Sequence, residues 1–282
     1  MKKAFTALIS IGLLILVWSV AIEPGLLIQR DVEVSKWPVS PLRIAFFSDL
    51  HAGAPYITES YIEDLISRIN KMQPDIVLIG GDLVITGIIG GSYIPIEKIA
   101  DLLKKLNARL GVYAVLGNHD WWDDGEHINQ VLKKNGIKVL ENEAELISID
   151  PNNHFWLVGV GDDFTNHSDI RLSLSKVNTA DPQILFMHDP AAIFQAKNKF
   201  DLALAGHLHG GQVFVPGVGA IFTIGDAPRE WAEGWVDFKY GSLFVSKGIG
   251  TSIFPVRLNA LPEFVVVDLK KNYGVDKSDS KN

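Results

Sequence analysis

Apolar and polar positions divide the chain into four stretches. Ala4 to Ile22 carry no charge, follow Lys2 and Lys3, and stop at Glu23-Pro24-Gly25. At about 1.5 Å per residue this run spans roughly 28 Å, close to the hydrocarbon thickness of a bilayer. A core helix keeps a polar face and this run has none, so residues 1–24 read as an N-terminal transmembrane helix, an uncleaved signal anchor. A signal peptide cut after Ser19-Val20-Ala21 is the competing reading. Residues 25–41 read as a tether, because Pro24, Pro38 and Pro41 discourage a helix. Residues 271–282, rich in Lys, Asp and Ser, read as a disordered polar tail. The folded domain is then 42–270.

Within that domain short apolar runs alternate with amphipathic ones. Residues 43–47, 76–79, 112–116, 184–187 and 202–205 predict buried strands. Ile62, Leu65, Ile66 and Ile69 fall at helical spacing, as do Ile99, Leu102, Leu103 and Leu106. The first two thirds are therefore α/β. In the last third, 212–216, 243–246 and 263–269 read as strands with glycine-rich joints, and a second sheet made largely of these late strands is expected.

Composition narrows the chemistry. The 282 residues contain no cysteine, which excludes disulfides, thiolate metal sites and a cysteine nucleophile. Any metal must be held by oxygen and imidazole. The formal net charge of -7 leaves no basic footprint for a nucleic-acid partner.

The polar residues that remain conspicuous sit where predicted strands end. Strand 43–47 runs into Asp49 and His51, 76–79 into Gly81-Asp82, and 112–116 into Gly117-Asn118-His119-Asp120. Strand 184–187 runs into His188, and 202–205 into Gly206-His207-Leu208-His209. In open α/β sheets ligands bind beyond the carboxyl ends of the strands. A two-metal centre needs a carboxylate able to bridge both ions, neutral imidazoles around it, and open positions for water and substrate. The spacing of Asp49 and His51 lets them converge only if the chain bends as it leaves its strand.

In this order the blocks Asp-x-His, Gly-Asp, Gly-Asn-His-Asp, a lone His and Gly-His-x-His resemble the calcineurin-like metallophosphoesterase family. Gly206 to Val213, Val245 to Ser252 and Ile22-Glu23-Pro24 are similar to its bacterial membrane-anchored or exported branch. The resemblance implies a four-layer α/β/β/α sandwich of two mixed sheets. It implies one divalent ion on Asp49, His51 and His209, a second on Asn118, His188 and His207, and Asp82 bridging them. It implies His119 as the general acid that protonates the leaving oxygen, with Asp120 fixing its tautomer. Mn²⁺ is the first choice of metal, with Fe or Zn²⁺ compatible with the same donors.

The expected activity is hydrolysis of a phosphodiester or phosphomonoester near a membrane. A narrower alternative is pyrophosphate cleavage of a UDP-linked lipid A precursor, in which the phosphate ester is lipid-linked. An alternative of another class is a non-catalytic metal-binding scaffold. Lys2 and Lys3 place the N-terminus in the cytoplasm and the domain on the outer, periplasmic side of the inner membrane. Trp121 and Trp122 read equally as core or as a wall of the cleft. Phe222, Trp231, Trp235 and Phe254 read as core in preference to a lipid-facing or substrate-tail role. His127, His154 and His167 read as surface residues, and Arg229 and Lys247 are candidate phosphate contacts.

Overall fold

A computed structural model describes residues 1–53, 55–87, 89–196 and 200–271. Helix α1 (Lys2–Val17) stands clear of the domain with no buried residue, then continues through a π-helical turn, Trp18–Ile22, and a 3-10 turn, Glu23–Gly25. The domain follows as β1 (Ile28–Trp37), β2 (Leu42–Phe47), α2 (Glu59–Lys71), β3 (Ile76–Gly80), α3 (Ile96–Leu103), β4 (Val112–Val115), α4 (Asn118–Lys134), β5 (Lys138–Val139), β6 (Glu143–Asp150), β7 (Asn153–Val160), α5 (Ile170–Ser175), β8 (Gln183–Met187), β9 (Leu202–Ala205), β10 (Phe214–Val215), β11 (Gly219–Ala220), β12 (Gly234–Phe238), β13 (Gly241–Val245) and β14 (Glu263–Lys271).

Two six-stranded sheets form the body, in the orders β1-β14-β2-β3-β4-β5 and β12-β13-β9-β8-β7-β6, with β10-β11 as a separate ribbon. Alternation along the strands decides the layers. Ile44 and Phe46 of β2 pack between the sheets with Leu78, Phe155, Leu157, Phe186, Leu204 and Phe244. Ala45 and Phe47 point the other way, against α2, α3 and α4 through Leu65, Ile69, Ile99 and Leu132. On the second sheet Leu185, Met187, Ala203 and Ala205 face α5 and the 3-10 segment Pro190–Gln195. The result is the four-layer α/β/β/α sandwich. Strands buried on both faces read as continuous apolar runs, which is why their sequences show no polar alternation.

Three expectations change. Residues 28–37 are an edge strand, parallel to β14 from Ile28 opposite Glu263 onward, and not part of a tether. Their prolines lie outside the strand, Pro24 in a 3-10 turn and Pro38 and Pro41 in the link to β2, so no ladder donor is lost. The second sheet draws on the middle of the chain through β6 and β7. The last strand leaves it to pair antiparallel with β2 in the first sheet, Val265 opposite Phe46. The tail expected at 271–282 lies outside the described residues after Lys271, which still belongs to β14.

Phe46 is fully buried at the centre of the inter-sheet core. Phe46→Ala should cost about 3–5 kcal/mol of stability, seen as a lower urea midpoint at an unchanged m-value.

Candidate metal centre

Strands β2, β3 and β4 of one sheet and β8 and β9 of the other are parallel within their sheets, and their carboxyl ends meet. The His188 ring, just past β8, lies with Nδ1 2.7 Å from the Gly80 carbonyl at the end of β3. There the backbone turns sharply. Asp49, His51, Asp82, His207 and His209 have φ of 56, 44, 55, 70 and 52°, the left-handed region that non-glycine residues avoid because Cβ crowds the backbone. Each such residue costs on the order of 1–3 kcal/mol. The bend aims side chains two apart at one point, where an extended strand would leave them in a parallel row. Backbone bonds enforce it: Asp49 N to Gly81 O, His51 N to Asp82 O and Ala52 N to Leu83 O, each 2.9 Å.

All nine residues singled out at the strand ends are buried in one place. Asp49, His51 and His209 offer donor atoms within 4.8 Å of one another, and so do Asp82, His188 and His207. His51 Nε2 is 3.2 Å from His209 Nε2, and His209 Nε2 is 3.4 Å from Asp49 Oδ1. In the other set His188 Nε2 is 3.1 Å from both His207 Nδ1 and Asn118 Oδ1. Asp82 Oδ2 lies between the sets, 3.5 Å from His51 Nε2 and 3.3 Å from His188 Nε2. A close approach by the loop after β13 supports Asp49. Gly248, at φ +65°, passes so near that a Cβ there would sit 2.6 Å from Asp49 Oδ2.

The electrostatics suit a cation. Burial pushes His51 and His207 down to about 3 and His209 well below its ordinary value, so all three rings are neutral at physiological pH and keep a lone pair. Burial also opposes charge on His188, yet Asp82 and Asp49 hold that ring well above its usual value. Burial pulls the Asp82 carboxyl up, but the facing rings of His188 and His119 hold it well below the carboxylate range. Burial raises Asp49 to about 6. His51 Nδ1 and His207 Nε2 are buried without a hydrogen-bond partner. Three neutral imidazoles, two carboxylates and one amide oxygen aimed at one another fit divalent ions that accept mixed nitrogen and oxygen donors, and a cation beside Asp82 would displace the His188 proton.

The role expected of Asp120 changes. Its carboxylate accepts from the amides of Asp82 (2.8 Å), Leu83 (2.8 Å), Val84 (3.2 Å) and Gly117 (3.0 Å), and no bond joins it to His119. It sits in the first turn of α4, where it clamps the loops after β3 and β4 together. The partner of His119 is Thr86, whose hydroxyl lies against Nδ1. Nothing in the spacing marks Thr86, because it reaches His119 only through the fold. Arg257 is a second such residue. It is fully buried, donates to the carbonyls of Gly250, Ala260 and Lys247, and places Nη2 3.3 Å from His209 Nδ1. As the single charge in the apolar run 249–258, it could have been noticed. Glu141 is another: half-buried, accepting from Leu116 N, its buried Oε2 unpartnered, and pushed up to about 8 by desolvation.

Trp122 walls a cavity of about 420 Å³ beside Asp82, His119, His207 and His209, its ring 4.9 Å from that of His119. Trp121 turns away and stacks on His167 at 3.8 Å. His127 and His167 are exposed, and His154 is half-buried. Lys247 is committed to Glu233 and Glu263 at 3.1 and 3.2 Å, so its amine is not free for phosphate, and Arg229 is exposed in a short turn. Phe222 and Phe254, expected in the core, are 66% and 57% exposed.

The family model for calcineurin-like phosphoesterases matches residues 42–211. An uncharacterized metallophosphoesterase of Aquifex aeolicus (strain VF5) is 32% identical over 255 residues, covering 86% of this chain and 90% of that protein. Phosphodiesterase YaeI of Escherichia coli (strain K12) is 32% identical over 253 residues, covering 88% and 90%. A transmembrane protein with a metallophosphoesterase domain from Danio rerio is 30% identical over 209 residues, covering 69% of this chain and 46% of that one. The chain belongs to the calcineurin-like phosphoesterase family. It is a metal-dependent phosphoric ester hydrolase.

Asp120→Asn leaves amide donors facing a side-chain amide, at about 1–3 kcal/mol for each orphaned group. The expected outcome is loss of bound metal along with turnover, measured by elemental analysis of the purified chain. A variant with full metal content would contradict the clamp. Glu141 gives a pH dependence. Between its ordinary value and about 8 the folded chain keeps this proton and the unfolded chain has released it, so stability falls as pH rises through that window. Glu141→Gln keeps the acceptor for Leu116 and should raise the urea midpoint at pH 9, with a smaller gain at pH 5.

Proposed function

We propose that the chain hydrolyses a phosphodiester or phosphomonoester at a centre of two divalent cations. Asp49, His51 and His209 hold one, Asn118, His188 and His207 hold the other, and Asp82 is shared. The observation that supports this most directly is the Asp82 carboxylate lying between two separate donor sets, with Oδ2 within 3.5 Å of an imidazole nitrogen from each. The bound cations supply Lewis-acid charge at the phosphoryl oxygens and lower the pKa of water, with Mn²⁺ preferred and Fe or Zn²⁺ compatible.

In this proposal His119 moves the proton. Thr86 occupies its Nδ1, which leaves Nε2 for the leaving oxygen. The ring is 5% exposed, next to His51 at 4.5 Å and under Trp122, so water has little access to it. Burial lowers its pKa while the Asp82 charge opposes that; the net shift favours the neutral ring, so the acid role needs the negative charge of a bound phosphoester to hold the proton on it. Asp120 is a positioning residue acting on the Asp82 backbone.

The apolar segment Lys2–Gly25 is long and apolar enough to cross a membrane, with mean hydropathy 2.5. In this proposal it anchors the enzyme in the inner membrane with the domain on the periplasmic side, following Lys2 and Lys3.

With Mn²⁺ the purified full chain should turn over bis-p-nitrophenyl phosphate. A metal-loaded chain with no turnover on any phosphoester would instead indicate a scaffold. His119→Ala should lower turnover of an alkyl phosphoester by about 10²–10⁴-fold and keep its metal. Loss of metal in that variant would remove the general-acid assignment.

A further inference from the structure

The end of the apolar helix is tied to one loop of the domain. Arg257 N donates to Ser19 O at 2.9 Å, and Ala260 N donates to Glu23 Oε1 at 2.7 Å. The Tyr56 hydroxyl lies 2.5 Å from Val20 O and 2.7 Å from Pro255 O. The residues just before Pro255 are Ile253 and Phe254, 43% and 57% exposed, and both line a cavity next to His207 and His209. Ile253 is a β-branched residue at φ 61°, where such residues are rare.

A second apolar element is fastened to the same loop. The β10–β11 hairpin bonds to it through Phe214 N to Leu258 O, 2.9 Å, and Leu258 N to Gln212 O, 2.7 Å. Val218 at its turn is 58% exposed, and Ile221 and Phe222 just after it are 51% and 66% exposed. Phe222 lines the cavity that Ile253 and Phe254 line. From Val213 to Gly225 the sequence carries no charge, and neither does Gly248 to Val256. A contiguous exposed apolar patch of this kind marks a contact surface.

We infer that this rim, formed by Val218, Ile221, Phe222, Ile253 and Phe254, lies in the headgroup region of the bilayer and sets the mouth of the metal cavity against the lipid surface. The partner is lipid because the rim continues directly from the end of a membrane-length helix and because it is uncharged where it is exposed. It rests on the reading of α1 as an anchor. Two tethers, the helix end and the rim, fix the orientation of the domain as one alone cannot. The phosphoester reaching the metals is then one presented at the membrane surface, with its apolar portion along Phe222, Ile253 and Phe254. Side chains of this class bind an interface through buried apolar area.

The cysteine-free chain allows a direct test. Single substitutions Phe222→Cys, Phe254→Cys and Val218→Cys carry a nitroxide in the full chain, reconstituted into vesicles of phosphatidylcholine and phosphatidylglycerol. Ile11→Cys reports on the helix and Lys104→Cys on the exposed surface of the domain. The ratio of oxygen to nickel-chelate collisions should be severalfold higher at 222, 254 and 218 than at 104, and highest at 11. Labels at 222, 254 and 218 that match 104 while 11 reads lipid would overturn the rim and leave the anchor standing. A water-like reading at 11 would overturn both. Low collisions with both reagents at the rim would indicate a second copy of the chain there and would also overturn the proposal. Val218, between Gly217 and Gly219 at the turn, keeps the test valid if a cavity-lining substitution disturbs folding.

Discussion

The centre depends on backbone held where it does not rest by itself. Five donor-bearing residues, Asp49, His51, Asp82, His207 and His209, are left-handed, and no glycine substitutes for any of them because the chemistry needs their side chains. Strain of this kind persists only when the surroundings over-determine it. Here the surroundings are specific. The Asp120 carboxylate gathers four amides, the loop after β13 closes on Asp49 without a Cβ at Gly248, and Arg257 fills the space behind His209 with donors to four carbonyls. Removing any of these releases the bend before it touches a donor atom.

The two sheets divide the work. The first supplies Asp49, His51, Asp82 and Asn118 from the ends of β2, β3 and β4. The second supplies His188, His207 and His209 from the ends of β8 and β9. Two donor sets mix residues from both sheets, His209 joining Asp49 and His51 and Asp82 joining His188 and His207, while a third, His51, Asp82 and His119, comes from the first sheet alone. The geometry of the centre is thus a readout of how the sheets pack. Phe46, Phe186, Leu204 and Phe244 between them set the distance across which the donors meet, so a change of side-chain volume there also moves the donors.

Much of this was legible in the sequence, and the boundary has a physical reason. Residues at strand ends follow from local pattern: an apolar run, then Asp, Asn or His. That pattern gave the strands of the parallel cores and the residues gathered at their ends. Pairing partners are not local, so 28–37 read as a tether and 263–269 were placed in the wrong sheet. Thr86 and Arg257 touch the centre only after folding; nothing local marks Thr86, and Arg257 is marked only as the single charge in 249–258. Asp120 shows the limit within a motif. Its position in the block was plain, yet its carboxylate turns toward amides of another loop and away from the adjacent His119. Phe222 and Phe254 were read as core because aromatic residues usually are, whereas their loops hold them outward.

The placement of β14 between β1 and β2 has a consequence in time. The two neighbouring strands are made first and the strand that separates them last, so the first sheet closes only when residues 263–271 have emerged. Contacts this far apart in sequence are slow to form and leave edges open meanwhile. On a chain synthesised from an apolar N-terminus, the early half of the centre waits, bent but unbraced, for Gly248, Arg257 and the final strand. A chain that stopped before residue 263 would therefore lack the strand that joins β1 to β2, the strand leading to Asp49 and His51.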